Sequence, residues 1–298
     1  MDRKLILISI LIILLAVFSC KGKTDPGQSL DNQETEIDYS QSEEPEVFPE
    51  PEPDSQSNPL KNFSYSWSES DDMPPVVIII DDFGNSAGTL LEGFADLPDE
   101  IVFAVLPDLP HTETAARLAR KTGHEVIIHV PMEAENSSIS PGTNYIKAGM
   151  SASEITEVMA DFMDQIPMAI AANNHMGSKA TSHRETMLNV IAELKKEGLF
   201  FIDSATTSNS AVFTAASELD VFSTRRDIFL DVPDISDATL KTKIESLGKY
   251  KGRNEPIVII SHCHNQEKLD GLRKFIDQIQ DMGIKIVSLK KAFPEARA

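Results

Sequence analysis

From Val76 onward, short apolar β-branched runs alternate with longer stretches of helical period. The runs are Val76–Ile80, Ile101–Val105, Glu125–Val130, Ala169–Ala172, Leu199–Ile202, Ile228–Leu230, Ile257–Ile260 and Lys285–Leu289. Between them lie amphipathic stretches, among them Thr114–Lys121, Ser153–Gln165, Glu185–Lys196, Asp237–Leu247 and Gln266–Met282. Ser151 and Ser153 stand where the second of these would be capped, and Gly123, Gly198 and Gly283 where helices would end. Strands apolar along nearly their whole length, separated by helices, predict a parallel sheet covered on its faces. An open dinucleotide-binding sheet would need a glycine-rich turn after the first strand. "DDFGNSAG" puts Gly84 and Gly88 out of frame for G-x-G-x-x-G. The pattern therefore predicts a closed or nearly closed β/α barrel.

The chain before Val76 reads differently. Arg3 and Lys4 precede an apolar run, Leu5–Phe18, interrupted only by Ser9 and short of the ~20 residues a membrane span needs. Ser19-Cys20 then resembles the cleavage box of bacterial lipoproteins, so residues 1–20 read as a lipoprotein signal peptide with Cys20 as the lipidated residue. Residues 21–75 are rich in Glu, Asp, Pro and Ser and too poor in aliphatics to offset their ordering entropy, as expected for a disordered tether. Thirteen of the chain's 20 net negative charges lie between Asp25 and Asp72, where Lys61 is the only cation. That balance argues against a nucleic-acid partner, which requires clustered cations. Apart from Cys20 only Cys263 remains, so no disulfide is expected in the folded part, residues 76–298. The expected location is the bacterial cell envelope, lipid-anchored and facing the periplasm or exterior.

Parallel β/α folds gather their chemistry where strands end. Asp81 and Asp82 close the first apolar run, and His129 ends the third. Asn173-Asn174-His175 follows the fourth, Asp203 the fifth, and His262-Cys263-His264 the seventh. Carboxylates and imidazoles thus collect on one rim, which a purely structural sheet does not need. Each has a plainer use: Asp82 could cap the next helix, His129 could be a core histidine, and Asn173–Ser178 could be a hydrogen-bonded turn. Cys263, between His262 and His264, is expected to face the opposite side of the strand. "HEVIIH" is one residue too long for a zinc-protease motif. In a strand His124 and His129 would stand roughly 16 Å apart at ~3.3 Å per residue, which makes His124 structural.

Seven ordered blocks, "VVIIIDDFG", "IVFAVLPDLPH", "GHEVIIHVPME", "NNHMGSKAT", "LFFIDSATT", "RRDIFLD" and "IVIISHCH", together resemble the divergent polysaccharide deacetylases, a branch of the NodB-like carbohydrate esterase superfamily. The resemblance runs from about Pro75 to Phe293. It implies a distorted (β/α)7 barrel holding one divalent ion, zinc first. It further implies Asp81 as general base, Asp82 and His129 as metal ligands and His262 as general acid. Asp203 is expected to orient partners, with Asn174 beside it. Superfamily members carry a second metal histidine four residues after the first, where this chain has Glu133. His175 is expected to supply the missing imidazole, leaving Glu133 as an alternative ligand or a group behind the ligands. The implied reaction is removal of acetyl groups from an N-acetylated envelope or extracellular glycan. The competing readings are a non-catalytic metal- or glycan-binding envelope lipoprotein and a two-metal phosphoesterase.

Overall fold

The computed structural model describes residues 73–296. The expected signal peptide, Cys20 and all but the last residues of the expected tether lie outside them. Eight parallel strands form one sheet: β1 (Val76–Phe83), β2 (Val102–Val105), β3 (Glu125–Met132), β4 (Ala171–Met176), β5 (Phe200–Asp203), β6 (Ser223–Arg225), β7 (Ile228–Phe229) and β8 (Ile257–His262). Their spatial order is β6-β5-β4-β3-β2-β1-β8-β7.

The two edge strands are consecutive in sequence. Only Arg226 and Asp227 separate β6 from β7, yet the Arg226 N–H donates to Asp203 O on one side and the Asp227 N–H to Val258 O on the other. Two residues cannot bridge the width of a flat sheet, since they extend at most ~7 Å. The sheet is therefore curled until its edges meet. Counting the β6–β7 segment as one position gives the seven strands of a distorted (β/α)7 barrel.

Alternation along each strand separates two apolar layers. Val77, Ile79, Val102, Ala104, Ile127, Ala171, Ile202, Val258 and Ile260 pack with one another inside the curl. Val76, Ile78, Ile80, Phe103, Val126, Ile128, Phe201 and Ile259 face the other way and pack beneath the helices. These helices are α1 (Gly88–Ala95), α2 (Thr112–Lys121), α3 (Ala152–Gln165), α4 (Arg184–Lys196), α5 (Val212–Glu218), α6 (Asp237–Ser246) and α7 (Gln266–Asp281), while the short α8 (Leu289–Ala292) packs on the inner layer. Ser151 caps α3 through a full capping box with Glu154, typically worth about 1 kcal/mol. Gly123, Gly198 and Gly283 follow α2, α4 and α7 with positive φ, as a left-handed helix stop requires.

One expected strand is absent. Lys285–Leu289 makes a single parallel bridge, Ile286 to Val76, because β2 occupies that side of β1 from Ile79 onward. Leu289 instead begins α8 and joins the inner layer. The two short helices α1 and α5 and the polar strand β6 are additions to the sequence reading.

Candidate metal centre

A regular strand would turn Asp81 and Asp82 to opposite faces. In β1 the pairing with β2 shifts between Ile80 and Phe83, so that Asp81 and Asp82 together oppose one residue. Asp82 adopts φ 72°, a left-handed conformation that Asp tolerates better than most residues. The bulge lets both carboxylates enter the same cavity, of about 430 Å³, which His129, His175 and His262 also line.

His129 extends the inner row of β3, two residues beyond Ile127, and Asn173 and His175 extend that of β4 beyond Ala171. His129 lies opposite Asn173 in register, and Pro131 opposite His175. The Asn173 carboxamide fixes two neighbours. Its Oδ1 lies 2.7 Å from His129 Nδ1, and its Nδ2 donates to Asp81 Oδ1 at 2.8 Å. With Nδ1–H directed at an amide oxygen, neutral His129 presents the lone pair of Nε2. That atom is 3.1 Å from Asp82 Oδ1 and 3.2 Å from His175 Nδ1, and His175 Nδ1 is 3.0 Å from Asp82 Oδ1.

These three separations decide what the cluster suits. Ligand atoms on one ion with metal–ligand bonds of about 2.0–2.1 Å lie about 2.9–3.4 Å apart in octahedral or tetrahedral arrangements. Asp82 Oδ1 is moreover buried without a hydrogen bond, because neither imidazole is aligned to donate to it. A buried carboxylate oxygen left so would be costly unless a cation completes it. Asp82, His129 and His175 therefore fit a divalent ion. Burial alone would raise the Asp82 pKa, but the imidazoles of His175, His129 and His264 outweigh it and hold the carboxyl well below its usual range. Asp81 behaves oppositely, because burial raises it more than His129 and His262 lower it.

Across the cavity, β8 ends at His262. Both Asp231 oxygens lie 3.0 Å from His262 Nδ1, and Asp231 Oδ2 also accepts from the His262 backbone N–H. Burial pulls the imidazole down, but the Asp231 charge and hydrogen bond prevail and push it up to about 9. The same pairing holds Asp231 low against its own burial. Phe229 stacks against the His262 ring at 5.6 Å, and the Arg226 guanidinium lies 3.6 Å from the centre of the Phe229 ring.

Other residues singled out in the sequence lie apart. Glu133 accepts from the Ala148 N–H and pairs with Lys179, and so has no place in the ligand cluster. Asp203 alternates with inward-facing Ile202, points to the outer layer and accepts from the Ala205 N–H; it contacts none of the three clustered ligands. Asn174 braces the loops by accepting from the Ser204 N–H and donating to Met176 O. His124 is buried between the carbonyls of Ile101 and Ala95. Cys263 is buried in the outer layer. Gly177 (φ 90°) lets the β4 loop pass so close to Met132 that a Cβ there would come within 2.9 Å of it.

Asn173, Asp231, His264 and Lys268 also belong to the site, although the sequence assigns them no specific role in it. Asn173 carried a usable signal, since it shares the period-two face of His175. Asp231 stands at the end of a strand-like run, as the other rim carboxylates do. His264 carried the same signal as Asn173, two residues from His262 on one strand face, and Lys268 follows it by four residues in the first turn of α7.

The comparisons with known proteins bear on the family and the fold. The uncharacterized protein YibQ of Escherichia coli K12 is 35% identical over 189 residues, covering 63% of this chain and 58% of YibQ. The chain thus spans less than two thirds of that relative's length. An uncharacterized protein of Haemophilus influenzae is 29% identical over 225 residues, 74% of this chain and 78% of the relative. The crystal structure of an uncharacterized protein from Agrobacterium tumefaciens C58 superposes with a TM-score of 0.66 at 20% identity, covering 77% of this chain and 91% of the other, a likeness of fold alone. The family model described as divergent polysaccharide deacetylase matches residues 78–293, most of the chain and nearly all of the barrel, and the chain belongs to that family.

Proposed function

We propose that this chain is a metal-dependent hydrolase that removes acetyl groups from an N-acetylated glycan of the cell envelope or extracellular space. The observation that carries the reading is the buried, unsatisfied Asp82 Oδ1 facing two imidazole nitrogens at 3.0 and 3.1 Å. One carboxylate and two imidazoles suit Zn²⁺. Such an ion would supply Lewis acidity toward an acyl oxygen and lower the pKa of water at the site.

The protein residues divide the proton transfers. Asp81, held by the Asn173 amide, accepts the proton of the attacking water. Its raised pKa makes it a stronger base than an ordinary aspartate. His262 enters as the imidazolium. Asp231 occupies Nδ1, so Nε2–H remains to protonate the departing amine. Retention of both groups in one cavity favours catalysis over mere metal or glycan binding. Full-length, zinc-loaded protein should release acetate from N-acetylglucosamine oligomers. A protein holding one ion per chain that releases acetate from no acetylated glycan would contradict the reading.

The general acid sets a pH limb. His262 must be protonated to act, so turnover should fall as pH rises through about 9. Asp231→Asn removes the charge that raises it, and the limb should move toward the ordinary ~6.5 of histidine. A pH–rate profile unmoved by this substitution would remove His262 from the acid role. Stability follows the same sign. The His262–Asp231 pair contributes fully below ~6.5, and its contribution is lost as pH rises through the folded value.

The location belongs to the same proposal. In a bacterial host the full-length chain should incorporate radiolabelled fatty acid, and Cys20→Ser should abolish the label. Release of the unsubstituted chain as an unlabelled soluble protein would rule out the anchor.

A further inference from the structure

The second oxygen of Asp82 has its own partner. His264 Nε2 lies 2.6 Å from Asp82 Oδ2, and His264 Nδ1 lies 3.3 Å from Lys268 Nζ. An ammonium only donates, so this contact requires Nδ1 of His264 to be the acceptor and leaves the proton on Nε2. The tautomer that results donates to Asp82 Oδ2. The same ammonium lies 2.8 Å from Asp231 Oδ2, whose side chain is fully buried, and so is fixed from two directions.

We propose that His264 and Lys268 form a positioning arm that holds Asp82 with Oδ1 turned toward the cation and Oδ2 withdrawn from it. His264 is on this account a partner of a ligand and not itself a ligand. The inference rests on the reading of Asp82, His129 and His175 as a cation site.

Two further observations support it. β8 ends at His262, and the alternation of the strand continues past it: Cys263 enters the outer layer while His264, two residues beyond His262, faces the same cavity. Lys268 stands in the first turn of α7, where Asn265 caps its backbone N–H. A cation at a helix N-terminus opposes the macrodipole, typically at a cost of about 0.3–1 kcal/mol. Its placement there is explained by its two partners rather than by the helix.

The test uses full-length, metal-free protein titrated with Co²⁺ and with Zn²⁺ against a competing chelator. The readouts are the dissociation constant and the visible absorption of bound Co²⁺, which reports the ligand set. His264→Phe should weaken binding about 10- to 100-fold, as loss of a ligand's hydrogen-bond partner does, and Lys268→Met, which removes the group that fixes His264, should weaken it in the same direction by less but more than twofold, while the Co²⁺ band keeps its position and intensity in both. His264→Gln retains an N–H able to reach Asp82 Oδ2 and should recover most of the affinity. Affinities within twofold of the unsubstituted protein in all variants would overturn the proposal. A displaced Co²⁺ band in His264→Phe would overturn it too, by making His264 a ligand. Thermal melting of the metal-free forms identifies any variant that does not fold. In that event Lys268→Met and His264→Gln carry the same comparison. If the unsubstituted protein binds no ion, the cation site itself fails, an outcome distinct from either result above.

Discussion

Replacing Asp81 with asparagine should lower the turnover of the metal-loaded protein by about two to four orders of magnitude, the usual contribution of a positioned general base. Its metal content should remain one ion per chain. The amide keeps the size and the contact with Asn173 but cannot take a proton from water. The metal-free protein supplies an independent control. Asp81 is more easily protonated when folded than when unfolded. Its stabilising contribution is therefore complete below the unfolded value near 3.9 and lost as pH rises through the folded one. At neutral pH the carboxylate weighs against folding, so metal-free Asp81→Asn should melt at the same or a higher temperature. Acetate release and calorimetric melting check the two halves. A variant that retains full turnover would remove Asp81 from the role of base, and a metal-free variant that melts below the unsubstituted protein would contradict the sign of its stability contribution.

Asp82→Asn should have the larger effect on the ion and a small one on the backbone. Asparagine accepts the left-handed conformation at φ 72° as readily as aspartate does, so the bulge persists. The lost charge leaves two imidazoles as the only strong ligands. Zinc affinity should fall by more than about 100-fold, measured by chelator competition, and turnover should fall with it. The two carboxylates are thus separable: one substitution leaves the ion and stops the chemistry, the other removes the ion. Equal zinc affinity in Asp82→Asn and the unsubstituted protein would show that the cluster of Asp82, His129 and His175 is not where metal binds.

The strands and their rim were legible in the sequence because apolar runs define β1, β2, β3, β5 and β8 and carboxylates or imidazoles end β1, β3, β5 and β8. Period two accounts for His129, Asn173 and His175 facing inward. It also explains which expected residues stand outside the cluster. Asp203 ends its strand as Asp81 does, but one residue out of phase with the inner row, so it faces the helices. Glu133 follows β3 where the loop has already turned away to pair with Lys179 and the Ala148 N–H. Asp82 breaks the period, and only the bulge in β1 brings it to the cavity. His264 and Lys268 are four residues apart, but Asp231 reaches them from a segment more than 30 residues earlier, and no local pattern encodes that contact.

Asp81 and His262 are direct neighbours across the β1–β8 ladder, the last of six consecutive register pairs. The distance between their backbones is therefore the strand repeat, about 4.8 Å, and loops that vary around the rim do not set it. Under the proposed function, base and acid would be spaced by a constant of the β-sheet itself, and the gap between them would be built to one gauge. On the same reading, what could change from one chain to another is the glycan that the surrounding loops admit to it.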